Sequence, residues 1–473
     1  MVSNPHHRRH QEPHLPRELL WKLVIWIDDT TTFFSFADAL GSARGPLEPL
    51  WQLGLTKNRR NLWPQLHLSS NFLQAATDRA HIEASLLHTH IPSVGIAFDG
   101  TIDVSWLRRH IQHPTTIDWY SRLPLSPLEA ISNGVVIPLS DWFTLWAKLP
   151  LTKLVLVQVE SNYAAHLEAA LPRLCHLTSL SISADAFPLA PILHLATTSL
   201  TLVELHFATH RPTVLSRPLV AEFVRWLRAV PVKTLGLRGW QVDDDAADAS
   251  SALLTALFQH PTLSWLSLMS GSLGPLAQVP ASTPTRLREL RLVDCDLSPA
   301  SLDALANLVA GSSLEGLHMS IFGDAVVHME PNDGMCLAFA RLLQAATECS
   351  QLKSLSLDGC GLVDSYWETL GPLLQSIPVD ELFLRNNEIG DNGIGWIAQG
   401  IQINGTVRTV NLANNQTTKF GLIAILQAMA DRSGHNEVQI QADWDSQESD
   451  ELKMCFVAKA DELGVDLKLL DRY

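Results

Sequence analysis

One nine-residue pattern recurs along this chain. Its first, fourth and sixth positions are aliphatic, and its ninth position is Asn or Cys. The spacing is clearest in four segments: RLRELRLVDC from Arg286, QLKSLSLDGC from Gln351, VDELFLRNN from Val379 and TVRTVNLANN from Thr406. Aliphatic residues two apart have the period of a β-strand, so they share one face while the residue between them faces the other way. The pattern therefore predicts short strands with one buried face and one exposed face.

The same register continues upstream in weaker copies. The central aliphatic positions are Leu154, Leu180, Leu205, Leu235, Leu266, Leu290, Leu317, Leu355, Leu382 and Val410, at steps of 24 to 38 residues. Such steps leave room for a helix between strands. Ser298 with Pro299 is a typical helix start, and Asp364 and Asp391 precede further helical segments. We expect strand–helix units that bury their apolar faces by stacking on one another.

These segments match the leucine-rich repeat template, and the long helical returns resemble its ribonuclease-inhibitor type over about residues 150–434. The resemblance implies an α/β solenoid: a horseshoe with parallel strands on the concave side and helices on the convex side. Two copies depart from the template, since they place His210 and Phe322 where Asn or Cys is usual. Cys295 and Cys360 occupy that ninth position, and we interpret them as structural.

The ends of the array are less regular. Residues 61–150 contain a first repeat around Leu66 and degenerate strands around Ile96 and Ile117. Residues 435–473 are predicted to form a strand, a helix and a closing strand that cap the solenoid. The resulting domain prediction is a disordered tail at 1–14, a helical module at 15–60, a solenoid at 61–434 and a cap at 435–473.

Residues 15–40, LPRELLWKLVIWIDDTTTFFSFADAL, carry an apolar stripe at helical spacing. The segment resembles an F-box, with its LP-x-ELL opening, an apolar helix that ends in Asp, and a second short helix. F-boxes bind a Skp-type adaptor, which links them to a cullin ubiquitin ligase. The resemblance implies an adaptor-binding surface, formed by Leu15, Pro16, Leu19, Leu23 and Ile27.

The usual Val-Cys-x-x-Trp ending of the motif is missing, and Trp51 is the residue we expect to take its packing role. The alternative interpretation of the whole segment is an amphipathic cap that covers the first repeat.

Composition narrows the choice of function. The net charge of −15 disfavours a broad phosphate-binding surface, and no run of about 18 apolar residues predicts a membrane span. Six cysteines without a CxxC pair suit a reducing compartment, either cytoplasmic or nuclear. Phosphate-loop, metalloprotease, nucleophile-elbow and dinucleotide motifs are absent from the sequence. We therefore expect no enzyme activity, cofactor, metal or nucleic-acid partner.

The exposed strand positions are the candidates for binding a protein partner. They include Arg and aromatic residues, the types that dominate binding hot spots. The candidates are Arg238, Trp265, Met269, Arg291, His318, Phe383 and Arg385.

Three functions follow from these observations. The first is a substrate-recognition subunit of a cullin-type ubiquitin ligase, and the second is a non-catalytic repeat scaffold. The third is a Ran-directed GTPase-activating protein, which shares the repeat type. Such proteins usually end in a strongly acidic segment, whereas residues 431–473 hold 11 acidic and 5 basic residues.

Overall fold

The computed structural model describes residues 16–471, apart from 70–71, 74, 89–90, 98–101, 125, 161–162, 186, 244–246, 281–283, 322–332, 432–437 and 445–449. The described chain forms two compact units, one up to Ser183 and one from Ala184 onward. Each unit is treated by itself below.

The α-helices are α1 Arg17–Val24, α2 Thr30–Leu40, α3 Glu48–Thr56, α4 Ala76–His88, α5 Val104–His110, α6 Leu139–Trp146, α7 Ala164–Ala170, α8 Leu189–Thr198, α9 Arg217–Ala229, α10 Ala247–Phe258, α11 Pro299–Val309, α12 Asp333–Thr347, α13 Asp364–Leu370, α14 Asp391–Ile403, α15 Lys419–Ala430 and α16 Asp450–Glu462.

The strands are β1 Gln65–Leu68, β2 Ser93–Ile96, β3 Ile102–Asp103, β4 Thr116–Trp119, β5 Ala130–Ser132, β6 Val135–Val136, β7 Leu151–Val159, β8 Ser179–Ala184, β9 Glu204–Leu215, β10 Thr234–Val242, β11 Trp265–Met269, β12 Glu289–Val293, β13 Gly316–Ser320, β14 Ser354–Asp358, β15 Glu381–Phe383, β16 Thr409–Asn411, β17 Val438–Trp444 and β18 Val465–Asp471.

The first unit begins with three helices and continues as parallel strands. β1, β2, β4 and β7 pair in parallel, with Leu66, Val94 and Ile117 aligned across the first three. The predicted strands around Ile96 and Ile117 are confirmed as β2 and β4. A second small sheet joins β3, β5 and β6.

The second unit is a parallel sheet whose strands β9 to β18 pair in chain order. Leu355 lies opposite Leu382, which lies opposite Val410, as the spacing predicts. All three side chains are almost completely buried. Consecutive helices pack side by side, for example α14 against α15. The chain therefore contains leucine-rich repeats, and the predicted final strand, helix and strand are β17, α16 and β18.

The backbone changes direction at the same position in many of the repeats. The residue four places after the central aliphatic residue has a left-handed backbone in seven repeats, with φ between 52° and 69°: Gln158, Gly239, Ser270, Asp294, Gly359, Asn386 and Asn414. Gly, Asn and Asp tolerate this conformation best, which explains most of the residue types found there.

The ninth position binds the backbone of the turn. Asn387 is 5% exposed, and its Oδ1 accepts hydrogen bonds from the backbone N–H groups of Cys360 and Leu362. Its Nδ2 donates to the carbonyl oxygens of Leu357 and Leu384. The Asn side chain thus ties one repeat to the preceding one, and Asn415 makes the equivalent donations one repeat later.

His210 does not occupy the ninth position, so that sequence assignment is wrong. β9 continues past it to Leu215, and the pairing with β10 shifts register between Arg238 and Trp240. The extra residues of β9 bulge outward, and His210 is exposed. Gly239, at φ 69°, allows the close approach of the Thr209 carbonyl oxygen at this bulge. Phe322, the other departure, lies outside the described residues.

Helix starts also connect successive repeats. The Ser298 side chain accepts a hydrogen bond from the N–H of Ser301, which confirms the predicted cap. Asp364 Oδ1 accepts hydrogen bonds from the N–H groups of Gly390 and Gly393 at the start of the next helix. A carboxylate at a helix N-terminus is also favoured by the helix dipole. None of the described helices is long and apolar enough to span a membrane.

Candidate binding surfaces

The predicted partner-binding residues all lie on one face of the second unit's sheet, which we call the open face. They alternate along strands β10 to β15 with the buried aliphatic residues, and Arg385 follows two residues after β15. Arg238, Arg291 and Arg385 are exposed, whereas the other four candidates are half-buried. The strand period therefore places the candidates on a common surface.

Trp265 packs against its neighbours on this face. Its ring centroid lies 5.0 Å from that of His206, and the Arg291 guanidinium carbon lies 5.9 Å from the ring centroid. Gly236 lies between the His206 and Trp265 strands, and a Cβ there would be 2.6 Å from His206 Nδ1. Because Gly236 has no side chain, the two rings can approach each other. The Trp265 ring therefore packs against His206 and lies near the Arg291 guanidinium group.

Arg385 is held by a carboxylate. Its Nε and Nη2 donate to Asp358 Oδ2 at 2.9 and 2.8 Å, and its backbone N–H donates to Asp358 Oδ1 at 2.7 Å. The Asp358 side chain is 8% exposed, while that of Arg385 is 48% exposed. The guanidinium is thus fixed in place and its charge is largely balanced, which the sequence pattern did not indicate.

His318 lies at the centre of a polar part of the open face. Its Nε2 is 3.4 Å from Oε2 of Glu289 on the neighbouring strand. Burial of the imidazole and the charge of Arg291 lower the pKa of His318, and they outweigh the carboxylates of Glu289 and Asp358. Near neutral pH the imidazole is therefore uncharged.

The N-terminal helix α1 divides its apolar residues between two sides. Leu20 and Val24 are buried, whereas Leu19 and Leu23 are each 48% exposed and Trp26 is 86% exposed. Of the other predicted adaptor-binding residues, Pro16 is exposed, Ile27 is partly buried and Leu15 lies outside the described residues. The helix is anchored on one side and presents leucines on the other.

An aromatic cluster at the start of the first sheet contacts the segment that follows α1. Trp63 stacks on Phe33 of α2 with ring centroids 4.3 Å apart, and its Nε1 donates to the Ile27 carbonyl at 2.7 Å. Trp51 of α3 takes part in the module too, since its ring lies 3.5 Å from the Arg44 guanidinium carbon and its Nε1 donates to Asp38.

The cysteines at the ninth position, Cys295 and Cys360, are buried. Burial raises the pKa of the Cys295 thiol to about 11 and raises the pKa of Cys360 as well. Cys295 Sγ contacts the Leu268 carbonyl oxygen, as a weak donor does. Within the described ranges, no three His, Cys, Asp or Glu side chains are grouped so that they could hold a metal ion.

Comparison with known proteins supports the repeat assignment. No family model matches the chain. The ribonuclease inhibitor of Sus scrofa is 32% identical over 87 residues, and that of Mus musculus is 34% identical over 88 residues. Each match covers 18% of this chain and 19% of the relative, so the chain spans about a fifth of the length of the curated relatives it matches. The similarity supports leucine-rich repeats in this chain.

Proposed function

We propose that this chain is a non-catalytic substrate-recognition subunit of a cullin-type ubiquitin ligase. In this proposal α1 binds a Skp-type adaptor and the open face binds the target protein. Ubiquitin transfer would take place on other subunits, so this chain would make and break no covalent bond.

The observation that carries the proposal is the exposure of Leu19 and Leu23. If α1 were only a cap, its leucines would be expected to pack on the first repeat. Instead, Leu20 and Val24 are buried, while two leucines and Trp26 lie in solvent. Exposed apolar side chains grouped on one helix are typical of a protein-binding surface.

A pull-down with a purified Skp-type adaptor tests the proposal. Wild-type chain should retain the adaptor, and the Leu19→Ala/Leu23→Ala variant should lose at least nine-tenths of it. The control is Leu87→Ala/Leu128→Ala, which removes two leucines of the same unit that are 60% and 74% exposed. Absence of adaptor on the wild-type chain, or equal loss in both variants, would refute adaptor binding.

A scaffold whose N-terminal helices cap the solenoid is the second candidate. It is favoured by the buried contacts of Phe33 and Trp63, which fix the helical module to the first sheet. The scaffold function requires the open face but no adaptor, so the same pull-down separates the two candidates.

A further inference from the structure

A groove runs between the neighbouring helices α9 and α10 of the second unit. It consists of two cavities of about 760 and 680 Å³, which share Arg228, Ala229 and Ala252 in their walls. None of the described residues that line either cavity belongs to a strand. The groove is therefore separate from the open face, and we call it the α9–α10 groove.

Small side chains keep the space between the two helices open. Ala221 and Ala229 line the groove from α9, and Ala249, Ala252 and Ala256 line it from α10. The three alanines of α10 are three and four residues apart, so they share one face of the helix. The 13 residues of α9 correspond to a length of about 20 Å, which is enough for about three turns of a bound helix.

Arginines of α9 supply the charge of this groove. Among the described lining residues the charged ones are Arg217, Arg225 and Arg228. Arg217 donates two hydrogen bonds to the Asp248 carboxylate, at 2.8 and 2.7 Å. Arg225 and Arg228 are exposed, and neither makes a hydrogen bond or ion pair with any described residue. They are three residues apart, so they are neighbours on the surface of α9.

Other titratable groups nearby do not compensate these two arginines. Glu222, the acidic residue of α9, does not line the groove and makes no ion pair within the described part of the chain. His260 is buried, with its Nε2 2.8 Å from the Leu227 carbonyl oxygen, and its Nδ1 accepts a hydrogen bond from the Leu263 N–H. Two uncompensated positive charges thus lie beside an apolar floor, in a chain whose net charge is −15.

The chemistry of the groove indicates a helix that carries carboxylates. A carboxylate pairs with a guanidinium group through two parallel hydrogen bonds. Apolar side chains next to the carboxylates would bury the alanine floor, which a strongly hydrated phosphate group would not do. Both walls of the groove are helices, so an extended segment would find no strand edge to pair with, whereas an amphipathic helix needs none.

We propose that the α9–α10 groove binds an acidic amphipathic helix of a partner protein. The carboxylates of this helix pair with Arg225 and Arg228, and its apolar side chains cover Ala221, Ala252 and Ala256. The groove is a further surface beside the adaptor-binding helix and the open face, so the proposal does not depend on a role in a ubiquitin ligase.

The probe is a pair of peptide pools, and the receptor is the full-length chain. Each peptide has about 16 residues and contains alanine, leucine and one polar residue, either glutamate or glutamine, at helical spacing. At about 150 mM salt the wild-type chain should bind the glutamate pool about tenfold more tightly than the glutamine pool, because charge-assisted hydrogen bonds are stronger than neutral ones.

A double variant tests the arginines. Arg225→Gln/Arg228→Gln should reduce the preference for glutamate to about twofold or less, because it removes both uncompensated charges. Its control is Arg286→Gln/Arg408→Gln, which removes the same charge from exposed positions of the same unit and should keep the preference.

A second variant tests the groove itself. Ala252→Trp should weaken binding of the glutamate pool about tenfold, because the indole would occupy the place where the two cavities meet. Ala458→Trp is the control, since Ala458 is exposed in the middle of α16 and outside the groove. All of these substitutions are at exposed positions, so the far-UV circular dichroism of every variant should match that of the wild type. No preference for glutamate in the wild type, equal losses in the arginine variant and its control, or undiminished binding by Ala252→Trp would overturn the proposal.

Discussion

Replacement of Asn387 by alanine should strongly destabilise the second unit. The side chain is buried and joins two repeats, because it accepts hydrogen bonds from the N–H groups of Cys360 and Leu362 and donates one to the Leu357 carbonyl oxygen. In Asn387→Ala the N–H groups of Cys360 and Leu362 lose their acceptor inside the turn. An unpaired buried donor costs about 1–3 kcal/mol, so the free energy of unfolding should fall by about 3 kcal/mol.

Urea unfolding of the full chain, followed by far-UV circular dichroism, measures this loss. Asn392→Ala is the control, because Asn392 is exposed on α14, and alanine should leave stability unchanged or raise it by less than about 1 kcal/mol. Repeat proteins can unfold unit by unit, so hydrogen exchange should show the loss first around residues 355–412. A loss below about 1 kcal/mol in Asn387→Ala would refute the reasoning about the ninth position.

Three further predictions concern stability and reactivity. Gly393→Ala should lower the free energy of unfolding by about 1–3 kcal/mol, because its Cβ would meet a carboxylate oxygen at 2.5 Å. Gly395→Ala, whose Cβ would lie in open space, should raise the free energy of unfolding by up to about 1 kcal/mol. Urea unfolding that finds both variants more stable than the wild type would contradict this. Alkylation of the native chain at pH 8 should modify the exposed Cys455 and spare Cys295, whose pKa of about 11 leaves little thiolate. Similar alkylation rates of the two cysteines, measured by mass spectrometry, would be inconsistent with the burial of Cys295. The pKa of His318 is lowered in the folded chain, so the unfolded chain binds the proton more readily. The urea midpoint should therefore fall as the pH drops below about 6.5. The urea midpoint of His318→Gln should fall less over the same pH range.

The repeat architecture was predictable because the aliphatic spacing reflects the geometry of a strand. Leucines two residues apart share a face, so the alignment of Leu355, Leu382 and Val410 follows once the strands pair in order. Capping was predictable where the residues involved are close in sequence, as with Ser298 and its helix.

Features that depend on neighbouring repeats were not predictable in the same way. The contact between Asp358 and Arg385 spans 27 residues, and the sequence gives no sign that this arginine is already occupied. His210 shows that the register can shift within one strand.

The most direct test of the account is hydrogen exchange on the full chain with and without a purified Skp-type adaptor. If α1 carries the adaptor-binding surface and the open face is reserved for a target, protection should be confined to the helical module, with its maximum at residues 16–30. Strands β10 to β15 should exchange at unchanged rates. Protection of those strands by the adaptor, or no protection anywhere in the chain, would contradict the account.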